Sequence, residues 1–158
     1  MKGRILIVAG SDSGGGAGIQ ADIKAVTALG GFAMTAITAL TAQNTREVRE
    51  VLPVPPAFIR TQMEVVLEDL GADVVKTGML FDADVIETVA DVLKARCPDI
   101  PVVVDPVMVA ESGSRLLAPS AVEALQRRLI PQATVITPNL PEAEVLFGAP
   151  IPDLAAAR

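Results

Sequence analysis

Short aliphatic runs of strand length alternate with amphipathic stretches of helix length along most of this chain, and nothing else in the sequence constrains the fold as strongly. A strand that returns to its sheet through a helix pairs in parallel with its predecessor. The pattern therefore predicts repeated βαβ units around a mostly parallel sheet, an α/β fold. Aromatic residues make up only 3% of the chain, so the core has to be aliphatic, which suits parallel strands sandwiched between helices.

Strands are expected at residues 5–9, 34–39, 48–54, 74–77, 102–105 and 133–137. Helices are expected at 17–29, with Ile19, Ile23 and Val26 as its apolar stripe, at 58–70 and at 82–96. Gly30-Gly31 and Gly71 supply the first two stops, and Asp82 is the expected cap of the third helix. Ser120 and Glu123 have capping-box spacing before a helix carrying Leu125 and Leu129. Asn139 and Glu142 have the same spacing before a last helix.

A chain of 158 residues can bury about 70% of the surface its unfolded form exposes, enough for one domain over residues 1–158 without staples. The formal net charge of -6 leaves no broad basic surface for nucleic acid or an anionic bilayer, and a small molecule becomes the default partner. Cys97 is the only cysteine and there is no histidine, which removes Cys/His zinc sites, internal disulfides and histidine triads. The apolar run near the N-terminus is too short for a signal-peptide core, and a cytoplasmic protein is expected.

In a parallel sheet every strand delivers its C-terminal end to one edge, where ligands bind. Those ends carry Gly10-Ser11-Asp12, then residues 41–44 with Gln43, then Lys76-Thr77-Gly78, Asp105-Pro106 and Thr137-Pro138-Asn139. The Gly-rich stretch 10–18 either brings backbone amides to a polar ligand or is a flexible connection; it fits neither the dinucleotide fingerprint nor a P-loop. Asp22 lies at the border of its helix's apolar stripe, as a ligand contact or as a carboxylate near the positive end of the helix dipole. Asp105 closes a run of three valines, where strand propensity gives it no reason to be. It suits metal or ligand contact, or a loop cap. Asn139 and Glu142 read first as a cap, Cys97 as a structural thiol, and Lys76 as an anion partner or a side chain snorkelling to solvent.

Five segments, AGSDSGGGAGIQADIK (9–24), TALTAQNT (38–45), KTGML (76–80), VVDPVMVAESG (103–113) and TPNLPEAEVL (137–146), together resemble the hydroxymethylpyrimidine and phosphomethylpyrimidine kinases of thiamine biosynthesis. These are ribokinase-like enzymes. The resemblance implies a three-layer α/β/α fold and transfer of the ATP γ-phosphate to a hydroxymethylpyrimidine, then to its monophosphate, with Mg2+ bridging the nucleotide phosphates. It also implies that Gln43 reads the aminopyrimidine edge, that Gly10, Asp22, Met79 and Val107 line the same pocket, and that Asp105, Asn139 and Glu142 serve the nucleotide side. Asp105 and Glu142 would serve the metal there. A pyridoxal kinase of the same fold and a catalytically silent binding module are the alternatives.

Two departures stand out. Glu111 occupies a position where the family leads one to expect lysine. Nothing in residues 140–158 resembles the family's C-terminal anion hole and hydroxyl-activating residue. The fold is thus expected to be truncated at its C-terminus: the pyrimidine half-site and part of the metal site, unable to turn over alone. An unpaired sheet edge would favour a homo-oligomer.

Overall fold

The computed structural model describes residues 1–108 and 119–153, and every expected strand and helix has a counterpart in it. The elements run β1 (Arg4–Asp12), α1 (Gly18–Ala28), β2 (Phe32–Gln43), β3 (Val48–Pro53), α2 (Pro56–Asp69), β4 (Val74–Thr77) and α3 (Ala83–Arg96). They continue with β5 (Val102–Val104), α4 (Pro119–Ala124), β6 (Val135–Ile136) and α5 (Leu140–Phe147). One six-stranded sheet results, in the order β3-β2-β1-β4-β5-β6. All neighbouring strands are parallel except β2 and β3.

Alternation along β1 sorts the core into two faces. Leu6 and Val8 join Val75, Val102 and Val104 under α2, α3 and α4, where Ile59, Met63, Ile86 and Leu93 complete the main core. Ile7 and Ala9 point the other way and meet Ile19 of α1. The α1 layer is thin, and Ile23, expected to face inward, is instead exposed at its flank. Thr77 shares the main-core face with Val75, which turns the intervening Lys76 toward the α1 side.

Two local expectations are corrected. Ser120 does not cap its helix, because α4 already includes Pro119, whose fixed φ suits a first helical position; the helix then passes into a π-helical turn at Leu125–Leu129. The second strand runs on to Gln43, since antiparallel β3 pairs with its distal end, Gln43 opposite Val48. The other capping signals hold: Asp82 accepts from Val85 N at 2.9 Å, and Asn139 and Glu142 form a reciprocal capping box. At the opposite end of the sheet, the Arg4 guanidinium hydrogen-bonds Asp73 and holds its carboxyl down to about 2. Among the described residues no helix is long and apolar enough to cross a membrane.

Candidate functional site

The chain winds outward from β1 in both directions, first to β2 and later to β4, so strand order reverses between β1 and β4. In open α/β sheets the crevice beyond such a reversal is where ligands bind. Gly10 lies on the β1 side of this crevice, at an irregularity between Ala9 and Ser11 in the pairing with β2. Gly78 and Met79 leave β4 on its other side. A Cβ at Gly10 would sit 2.5 Å from Met79 Cε, so the absence of a side chain at 10 is what lets Met79 lie across the gap.

The Gly-rich turn between β1 and α1 is organised by Asp12, which the sequence reasoning does not single out. Its Oδ1 accepts from Gly14 N at 2.7 Å, and its Oδ2 accepts from Gly16 N at 2.9 Å and Ala17 N at 2.8 Å. Gly15 N donates to the Asp12 carbonyl at 3.0 Å. The amides of residues 14–17 are therefore satisfied internally, so the turn does not offer them to an incoming anion. A buried carboxylate is stable there because charge-assisted hydrogen bonds replace its water. The signal was present in sequence: an aspartate followed at two and four residues by glycine favours an Asx turn. Gly18, at φ 54°, packs on the Gly10 carbonyl, where a Cβ would collide.

Gln43 joins this turn from β2. The Ser13 hydroxyl donates to Gln43 O at 2.8 Å and accepts from Gln43 N at 2.8 Å, which fixes the backbone at both polar groups. The Thr41 hydroxyl donates to Ser11 O at 2.8 Å and lies 3.3 Å from Gln43 Oε1. Half-buried Gln43 thus stands beside the β1 end, with its amide oxygen next to the Thr41 hydroxyl.

Lys76 meets anions supplied by the chain itself. Its ammonium lies 2.8 Å from Asp22 Oδ2 and 3.3 Å from Asp105 Oδ2, which brings together a helix residue and a strand-end residue 83 positions apart. All three side chains are between one-fifth and one-third exposed. Asp105 follows β5 directly: its amide donates to Thr77 O at 3.0 Å, and its carbonyl accepts from Val107 N at 2.9 Å. That closes a γ-turn about Pro106, whose restricted φ suits the central position. Val107 is half-buried two residues beyond Asp105.

Glu142 is buried, and both its oxygens accept backbone amides, Met108 N at 3.3 Å and Asn139 N at 3.0 Å. The Asn139 side chain accepts from Glu142 N at 2.9 Å. This capping box braces the segment after β5 against α5, beside Asp105 in the chain. Phe81 is a further feature invisible in sequence: it has φ 73°, the only positive value at a non-glycine among the described residues, inside a strained γ-turn that Asp82 N closes onto Leu80 O at 3.0 Å. The turn directs the chain from Met79 into α3. Glu111 lies outside the described residues.

A shallow groove bounded by Leu40, Thr41, Ala42, Glu50 and Leu52 adjoins Gln43. A second cleft, lined by Cys97, Pro98, Ile100, Val102 and Pro131, lies at the opposite edge of the sheet. Burial pushes the Cys97 thiol up, in keeping with a structural role.

Residues 12–158 match the family model described as phosphomethylpyrimidine kinase. A hydroxymethylpyrimidine/phosphomethylpyrimidine kinase of Bacillus subtilis is 52% identical over 151 residues, which are 96% of this chain and 55% of that protein. A crystal structure of phosphomethylpyrimidine kinase from Clostridium difficile superposes with a TM-score of 0.91 at 45% identity, covering 98% of this chain and 66% of that one. The pyridoxal kinase of Staphylococcus aureus, in complex with AMP-PCP and pyridoxal, gives 0.84 at 36% identity, over 98% and 55%. The chain spans about half the length of most of the curated relatives it matches.

Proposed function

The chain belongs to the phosphomethylpyrimidine kinase family, and from that premise we propose that it carries the pyrimidine side of an ATP-dependent phosphotransferase of thiamine biosynthesis. The hydroxyl of 4-amino-5-hydroxymethyl-2-methylpyrimidine takes the γ-phosphoryl group as its bond to the β-phosphate breaks. The resulting monophosphate is the second acceptor. The observation that supports this reading is that Lys76 links Asp22 of α1 to Asp105 at the end of β5, beside the strand-order reversal where Gly10 packs against Met79.

Gln43 offers an amide donor and acceptor, the complement of an aminopyrimidine edge. Asp22 supplies a carboxylate acceptor, while Gly10, Met79 and Val107 are assigned the apolar contacts to the ring, on the packing of Met79 across Gly10. On the nucleotide side, Asp105 presents a partly exposed hard oxygen. Magnesium is usually held by only one or two protein carboxylates besides substrate phosphates and water, so this donor set fits it. When bound, the ion neutralises charge on the transferring phosphates. Glu142, with both oxygens committed to amides, acts as a brace and at most through water on the ion; Asn139 holds it there.

Calorimetric titration with the hydroxymethylpyrimidine and with pyridoxal tests the assignment. Loss of the two Gln43 hydrogen bonds in Gln43→Ala is worth about 2 kcal/mol, or roughly thirtyfold in affinity. Equal binding by the variant, or preference for pyridoxal, overturns this assignment.

A further inference from the structure

Among the described residues, Lys76 is the cation that pairs with both Asp22 and Asp105, the residues assigned to the ring side and the nucleotide side of the site. It stands in β4, between β1 and β5, on the face covered by α1. Its position between Ile7 of β1 and Val103 of β5 places its stem at the middle of the sheet, and its ammonium at the crevice. Gly78 leaves space for that ammonium: a Cβ there would come within 3.3 Å of Lys76 Nζ. Asp22 and Asp105 approach from opposite flanks and share the nitrogen unequally, at 2.8 and 3.3 Å.

We propose that Lys76 is a positioning residue that couples the two halves of the site, its ammonium divided between Asp22 and Asp105 so that a ligand engaging one carboxylate changes the hold on the other. The closer contact is to Asp22, and Asp105 is the more weakly held and more exposed partner. A divalent cation arriving at Asp105 therefore competes with the ammonium for one oxygen, and the displaced ammonium closes on Asp22. By linkage the reverse also holds: a ring that engages Asp22 alters the cation affinity of Asp105 by the same factor. A compact ammonium on a flexible stem can shift between partners in this way, where a planar guanidinium would fix a single geometry.

The inference rests on the kinase reading for the identity of the ring, and the experiment separates the two. Mn2+ is titrated into the full chain by electron paramagnetic resonance, and the hydroxymethylpyrimidine is titrated by calorimetry with and without Mn2+. Lys76→Met removes the competitor while keeping the stem, and its Mn2+ affinity is expected to rise about tenfold. In the wild type Mn2+ shifts the pyrimidine affinity; in K76M the shift disappears, and K76R, with its fixed geometry, restores it only in part. Removing any ammonium so close to Asp105 tightens a cation there, so the loss of the Mn2+-dependent shift in pyrimidine affinity is the readout that a purely structural lysine would not move. Should K76M fail to fold, Asp22→Asn is read instead. It surrenders the ammonium to Asp105, and Mn2+ affinity falls. Unchanged Mn2+ affinity in the folded variant, or a wild type whose pyrimidine affinity ignores Mn2+, overturns the coupling. A wild type that does not bind the pyrimidine overturns the kinase reading, while the Mn2+ titrations still decide whether Lys76 competes at Asp105.

Discussion

Replacing Asp12 tests whether the crevice is held by one internal carboxylate. Three amides converge on it at 2.7 to 2.9 Å, and the residue is only 6% exposed. A hydrogen bond to a charged group contributes about 1.5–3 kcal/mol net, and deletion leaves part-buried donors without a partner. The three are not additive, since water reaches part of the turn once the carboxylate is gone. A loss of about 3 kcal/mol is therefore expected for Asp12→Ala. For a chain of this length that lowers the midpoint by about 6–12 °C. Asp12→Asn is the sharper variant, because it keeps the shape but turns an amide donor toward Gly16 N or Gly14 N. Most of the loss should persist in it. Thermal unfolding followed by circular dichroism at fixed protein concentration reads both. An asparagine variant melting within about 2 °C of the wild type would refute the argument that charge-assisted bonds, rather than packing, hold the turn.

Three other outcomes follow from the same geometry. Gly10→Ala places a methyl against the flexible end of Met79, so the melting temperature stays near that of the wild type while pyrimidine affinity drops; calorimetry and a melt on the same sample check both. Asn139→Ala removes one half of the capping box and costs about 1 kcal/mol, measured by urea titration. Asp73 has its folded pKa depressed to about 2, so its pairing with Arg4 is fully stabilising above the unfolded value of roughly 4 and is lost as pH falls toward 2. The stability gap between wild type and Asp73→Asn should thus close on acidification from pH 5, and a gap that widens would contradict the assignment.

The placement of the candidate site residues was legible from strand ends alone, because a parallel sheet sends every C-terminus to one edge. Gly10, Gln43, Asp105 and the Asn139–Glu142 cap fall where that rule puts them. Of the two readings left open for the Gly-rich turn, free amides for a ligand is the one its hydrogen bonds to Asp12 disfavour, since glycine composition reports backbone freedom and not where the hydrogen bonds go. Phe81 escaped notice because nothing in its residue type favours positive φ; the neighbouring turn imposes it. Lys76 was open between an anion partner and a snorkelling side chain; the anions it meets are two carboxylates of the chain itself, 54 and 29 residues away in sequence, which local reading could not name.

The sequence by itself determined the parallel aliphatic sheet, the caps at Asp82 and Asn139, and the edge on which polar residues gather. These depend on periodicity and on hydrogen bonds that span a few residues. Only the tertiary structure decided which polar groups pair. The amides of the first turn went to Asp12, and the ammonium of Lys76 went to two carboxylates on separate elements. Such choices are settled by distance and direction in space, which the chain acquires only when α1 and β5 close on either side of β4.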